Sequence, residues 1–168
     1  VEGGSPFSDV LAANEQFAAT YQSGDLKGQA RRGLAILTCM DSRIDPLAML
    51  GLAPGDAKIL RNAGARVSED VLRTLVLATY LLGVNRVMIV AHTDCRMTTD
   101  DEAKVHTAIS GAGGPDTRSL SFLTTTDVRT SLASDVQKVR SLPYLQQIPV
   151  AGFVYHLDSG RLEEVVRG

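Results

Sequence analysis

Cys39 and Cys95 are the two cysteines of the chain, and His92 precedes the second of them in the run His92-Thr93-Asp94-Cys95. Two thiolates and an imidazole form a soft ligand set of the kind zinc binds tetrahedrally, and a catalytic zinc site keeps one corner open. The His-x-x-Cys spacing lets two ligands from one turn reach a single ion, whereas Cys39 has to arrive from a neighbouring element. On its own the spacing is a weak signal, because a lone cysteine at a strand end is more often a small buried hydrophobe. A dithiol redox pair is the other chemistry open to the two sulfurs. A histidine close to both favours metal over redox.

The second constellation is Cys39-Met40-Asp41-Ser42-Arg43. Residues two apart on an extended segment face the same side, so Asp41 and Arg43 can form a forked carboxylate–guanidinium pair that keeps Asp41 ionised and oriented. If Arg43 let go, Asp41 could itself fill the fourth metal corner, and the sequence leaves both states open. The bland alternative is a surface ion pair. A metal in such a site has an evident use: it lowers the pKa of water to about 7 and so makes hydroxide available at neutral pH.

Such groups converge only if the fold brings them together, and the hydrophobic pattern supplies a way. Gly33 to Cys39 is continuously apolar, as expected of a parallel strand covered on both faces. Asp56 to Arg61 reads as a second strand, delivering Asn62-Ala63-Gly64-Ala65 to the same sheet end, and Val87 to Ala91 as a third, ending at His92. Between them lie a short helix, Leu47 to Leu50, and a longer one capped by Ser68 and running through Leu82 to Gly83. Strand, helix, strand, helix, strand argues for an α/β fold with a central, mostly parallel sheet flanked by helices. Ligands in such sheets sit at the carboxyl ends of the strands, where Cys39, Asn62 to Gly64 and His92 all fall. Ahead of this core, residues 1–8 read as a loose arm and Ser8 as the cap of an amino-terminal helix reaching about Tyr21. Beyond it, Thr98 to Ile109 reads as helical, Thr126 or Asp127 caps a helix to Arg140, and Val150 to Leu157 is a final strand with Leu162 to Val166 as a hairpin arm. The chain reads as one domain over 1–168: arm and helix at 1–32, metal-binding core at 33–97, helical region and final strand at 98–168.

Composition narrows the classes. The chain has 168 residues, 44% of them hydrophobic and 21% charged, with a net charge of −2; a globular protein with its own core is expected. No basic stripe points to nucleic acid. No apolar run approaches the 18 or so residues of a membrane span, and no basic-headed leader is visible. The expected location is the cytoplasm, where two cysteines stay reduced.

In their order and spacing, Cys39-Met40-Asp41-Ser42-Arg43, Arg61-Asn62-Ala63-Gly64 and His92-Thr93-Asp94-Cys95 resemble a β-class carbonic anhydrase of the short, compact branch, with the likeness extending over roughly residues 30 to 97. The resemblance implies one zinc ion per chain held by Cys39, His92 and Cys95, with Asp41 as dyad partner of Arg43 or as alternative ligand. It also implies that zinc-bound hydroxide converts carbon dioxide to bicarbonate and a proton. Ser42, Ala63 and Gly64 would lie around the substrate. Carbon dioxide is small, linear and apolar, so it needs a narrow apolar pocket more than hydrogen bonds; Gly64 either leaves room in that pocket or serves only a tight turn. A homodimer or dimer of dimers is implied, with the amino-terminal helix wrapping the partner through the stripe that carries Phe17 and Tyr21. Carbonyl sulfide or carbon disulfide hydrolysis by the same site, and a non-catalytic zinc-binding protein, are the alternative functions.

One departure from the family pattern is Arg96, where glycine is usual. If that position requires φ > 0, arginine is strained there by about 1 kcal/mol; if not, a cation stands near the metal, able to attract anions or obstruct the cleft. His106 is either a proton relay or, as the better reading, a solvated helix residue. His156 is expected to pack or hydrogen-bond in the last strand, Asp94 to orient the ligand turn, and Asp100, Asp101 and Glu102 to form a solvated face.

Overall fold

A computed structural model of the chain describes residues 5–168, and the first part of the expected loose arm, residues 1–4, lies outside that range. Five strands form one sheet in the order β2-β1-β3-β4-β5: β1 is Leu34–Cys39, β2 Ala57–Asn62, β3 Arg86–His92, β4 Val150–His156 and β5 Arg161–Val166. The first four run parallel, and β5 returns antiparallel to β4 as the expected hairpin. Every residue of β1 is buried, which is why its apolar run is unbroken. β1 pairs with β3 up to Thr38 opposite Val90, so Cys39 and His92 both follow within two residues of the last β1–β3 pair. Asn62 lies directly opposite Cys39 on the other side. The sheet register thus brings all three motif stretches to one edge.

Two helices hold this sheet from one face. α2, Glu69–Leu81, is capped by Ser68, whose side chain accepts from Val71 N, and carries Glu69 and Asp70 in its first turn, where acidic groups complement the helix dipole. Its Val71, Leu75 and Ala78 join Leu37, Val87 and Ile89 of the strands in the main core. α5, Val128–Ser141, is capped by Asp127 through the amides of Arg129 and Thr130, and buries Leu132, Val136 and Val139 in the same core. Gly152 of β4 permits the close approach of α5, since a Cβ there would meet Leu132 at 2.9 Å. Each fully buried aliphatic side chain contributes about 1.5–3 kcal/mol.

The opposite face is thinner. Leu34, Ile36 and Val90 are buried beneath Met49, Leu50, Met88 and Phe153, which are only partly covered. α1, Ser8–Thr20, has no buried residue, and Val10, Leu11, Phe17 and Tyr21 all stand exposed.

Local expectations are corrected in three places. Ser8 is the first residue of α1 and not its cap; Phe7 occupies that position without a side-chain hydrogen bond. The segment after β1 is a single 3₁₀ turn, Ala48–Leu50, preceded by Asp45, whose carboxylate accepts from the amides of Leu47 and Ala48. The helix expected over 98 to 109 is two, α3 (Arg96–Thr99) and α4 (Glu102–Gly111). They are separated at Asp100, which is extended, and α4 restarts on Asp101 as a cap accepting from Lys104 N.

Candidate metal centre

Cys39, His92 and Cys95 converge as expected: all three are buried, and their ligating atoms lie within 4.8 Å of one another. The two sulfurs are free thiols 3.9 Å apart. Two thiolates bound at about 2.3 Å to a tetrahedral ion stand about 3.8 Å apart, so the spacing suits a shared ion. His92 is aimed by its other nitrogen: Nδ1 lies 2.7 Å from the carbonyl of Thr93, and donation there leaves Nε2 with its lone pair free. Among the described residues that buried Nε2 has no hydrogen-bond partner. An orphaned buried acceptor facing two thiols is costly unless something binds it, so the trio fits zinc.

The dyad has formed. Arg43 donates from Nε to Asp41 Oδ1 at 3.0 Å and from Nη2 to Asp41 Oδ2 at 2.7 Å. Of the two states left open by the sequence, this is the paired one, with Asp41 Oδ2 3.9 Å from His92 Nε2. The fork is the largest influence on Asp41 and holds its carboxyl well below the usual carboxylate range. The two thiols affect each other in opposite senses. The contact with Cys95 pulls the Cys39 thiol down, while the same contact, joined by burial, pushes the Cys95 thiol up. Burial of His92 disfavours its charged form, but Cys39, the Thr93 carbonyl and the Asp41 charge together outweigh burial and raise its pKa.

Behind these groups stands a scaffold of backbone-binding side chains. Arg61 donates to the carbonyls of Cys39, Asp41 and Ile44, stapling the turn that carries the dyad. Asn62 closes the next turn on both sides, accepting from Arg66 N and donating to Arg66 O. Within that turn Gly64 has φ 81, and its amide donates to Cys39 Sγ at 3.4 Å. A Cβ on Gly64 would meet Met97 at 3.1 Å, so the glycine serves both the left-handed turn and a close packing contact. Arg66 ties the loop to α5 through buried Asp135, at 2.6 Å; Lys138 also reaches Asp135. A cavity of about 10 Å³, bordered by Gly64, Arg66, His92, Cys95 and Met97, adjoins the trio. Ala63 is half-buried beside Gly64, whereas Ser42 is exposed between the two dyad residues.

The other singled-out residues have definite places. Arg96 carries no left-handed strain: the positive φ in this turn belongs to Asp94, at 54°. The Arg96 guanidinium pairs with Asp100 at 2.9 Å and is largely exposed. His106 is not the expected solvated residue: its side chain is 16% exposed, bonds Thr117 and lies tilted against Phe122, while His156 bonds Glu163. The acidic run is more than a solvated face. Asp100 holds Arg96, Asp101 caps α4, and Glu102 accepts from the amides of Phe122 and Thr124, pinning the following loop.

A mostly parallel sheet that gathers two thiols and an imidazole beside an Asp–Arg dyad at its carboxyl edge defines a class, the α/β proteins with a Cys-His-Cys group able to hold a metal ion. Comparison with known proteins specifies it further. A carbonic anhydrase family model matches residues 34–162. β-Carbonic anhydrase 1 of Mycobacterium tuberculosis is 34% identical over 164 residues, covering 94% of this chain and 96% of that protein. The crystal structure of a carbonic anhydrase from Streptococcus mutans superposes with a TM-score of 0.89 at 35% identity, covering 97% of this chain and 99% of that one. A carbon disulfide hydrolase from Saccharolobus solfataricus is 45% identical over 88 residues, covering 50% of this chain and 43% of that protein. The chain belongs to the β-carbonic anhydrase family of enzymes.

Proposed function

We propose that the protein is a zinc enzyme that reversibly hydrates carbon dioxide to bicarbonate and a proton. The observation that carries this is the meeting of Cys39, His92 and Cys95 around the unpartnered His92 Nε2. Those three would hold one zinc ion per chain, and when bound it supplies the Lewis acidity that brings water ionisation down to about 7. Asp41, kept ionised by Arg43, can only accept hydrogen bonds and so orients the proton of the attacking nucleophile away from its reacting lone pair. Arg43 fixes that carboxylate. The Gly64 amide, aimed at Cys39 Sγ, helps hold that sulfur as a thiolate. Ala63 and Gly64 border the substrate, with Ser42 at the outer rim, and the cavity beside them is no larger than a water-sized molecule needs.

Hydrolysis of carbon disulfide, favoured by the relative from Saccharolobus solfataricus, or of the similarly linear carbonyl sulfide is the second reading. Carbon dioxide ranks first because likeness to β-carbonic anhydrase 1 spans nearly the whole chain. Assays of all three substrates on zinc-loaded protein separate them: carbon dioxide hydration is expected to dominate, and hydrolysis of a sulfur substrate with none of carbon dioxide would reverse the order. The non-catalytic alternative rested on Arg96 obstructing the open corner, and Arg96 is engaged by Asp100 instead.

The exposed stripe of α1 and the thinly covered second sheet face suit a homodimer or dimer of dimers in which each α1 lies on the partner. The whole chain acts as one domain. No described helix is long and apolar enough to cross a membrane, and the two free thiols suit the cytoplasm.

A further inference from the structure

The guanidinium of Arg43 is gripped from two sides. One edge meets Asp41, in the loop after β1. The other meets Asp94, in the turn after β3: Nη1 donates to Asp94 Oδ2 at 2.7 Å, and Nη2 donates to the Asp94 carbonyl at 3.1 Å. Asp94 is left-handed, with φ 54, a conformation that aspartate tolerates better than most residues, and here its side chain and its carbonyl reach the same partner. Its turn is in turn fixed to β4, because Thr93 N donates to Tyr155 O and Leu157 N donates to Thr93 Oγ1.

Asp41 and Arg43 are near neighbours, and their mutual bonds, including Arg43 N to Asp41 Oδ1, fix them only relative to each other. Arg61 anchors the backbone of this turn through its carbonyls, but the Arg43 side chain is half exposed, so the side-chain fork itself needs an outside reference to keep its place beside His92. We propose that Asp94 is a positioning residue: by clamping Arg43 to the ligand turn, it holds the Asp41 carboxylate at its 3.9 Å offset from His92 Nε2 and keeps it off the metal's fourth corner. Asp94 touches none of the reacting atoms and acts through Arg43. The inference rests on the zinc-site reading above.

The test compares zinc-loaded wild type, Asp94→Ala and Asp94→Asn by crystallography and by carbon dioxide hydration kinetics. Asp94→Ala is expected to retain zinc and thermal stability while kcat falls by about 10-fold, the lower end of the range found for partners one step out from a metal site, because Asp94 stands a further step away. Its crystal structure is expected to show Asp41 turned from Arg43 onto the metal. Asp94→Asn, which keeps an oxygen for Nη1 and the left-handed turn, is expected to restore the fork and most of the rate. Adding Asp94→Ala to an Arg43→Ala background is expected to change nothing further. Should Asp94→Ala retain both the wild-type fork and the wild-type kcat, the proposal is overturned. Should wild-type protein hold zinc without hydrating carbon dioxide, the functional reading fails, while the crystal comparison of Asp41 still decides the role of Asp94.

Discussion

At the scale of single residues, the chemistry depends on two kinds of group with separable roles. Cys39 is a ligand candidate through its sulfur, and replacing it by serine exchanges a soft thiolate for a weak hydroxyl donor. Cys39→Ser is expected to lose zinc on dialysis, as measured by elemental analysis; full retention would contradict the ligand assignment. Arg43 is 2.7 Å from Asp41 Oδ2 and belongs to the dyad, not the trio. Arg43→Ala is therefore expected to keep its zinc while the hydration rate drops by about 10- to 100-fold, followed by stopped-flow indicator assay. Unchanged kinetics would make Arg43 a structural residue. The grouping of Cys39, His92 and Cys95 with the dyad was legible in the sequence because each stretch follows an apolar run that reads as a buried strand, and because their order and spacing resemble the family pattern. The state of the dyad was not, because the choice between Arg43 and the metal depends on distances set by a turn 51 positions further along the chain, at Asp94.

At the scale of elements, the loop carrying Gly64 is held to α5 by Arg66 and Asp135, whose side chains are 13% and 2% exposed. Breaking such a pair strands a buried charge and costs about 3–5 kcal/mol. Asp135→Asn is expected to lower the unfolding free energy in urea by about that amount, with the loop around Gly64 loosened; a loss below about 1 kcal/mol would show the pair to be dispensable. Burial alone would raise the Asp135 carboxyl, but Arg66 and Lys138 outweigh it and depress it below its ordinary value. The stabilisation is therefore present above the unfolded-state pKa near 4 and is lost as pH falls through the lower folded value. In acid titrations followed by circular dichroism, Asp135→Asn is expected to lack that part of the acid-side loss. Asp135 was invisible as a key residue because, with Lys138 three positions on, it reads as a solvated helix pair. It lies instead on the buried face of α5, where its partner is Arg66, 69 residues away. Residues 98 to 125 were hard to read for a related reason. Their order comes from side chains bonding distant backbone, as Glu102 does to Phe122 and Thr124, and such bonds leave no periodicity.

At the scale of the whole molecule, the sheet was readable from strand and helix alternation, because β1 is buried on both faces and its pattern is unbroken. Less readable was the purpose of α1, which buries no residue among the described ones and leaves Val10, Leu11 and Phe17 exposed. If the proposed dimer forms through α1, deleting residues up to Tyr21 is expected to shift sedimentation from dimer towards monomer while the core keeps its circular dichroism spectrum. A truncated protein that stays dimeric would move the interface elsewhere. The account as a whole is tested most directly by stopped-flow measurement of carbon dioxide hydration on the zinc-loaded protein. Hydration well above the buffer rate, abolished by removing the metal and restored by returning zinc, is the expected result; a fully zinc-loaded protein that leaves the buffer rate unchanged would contradict it.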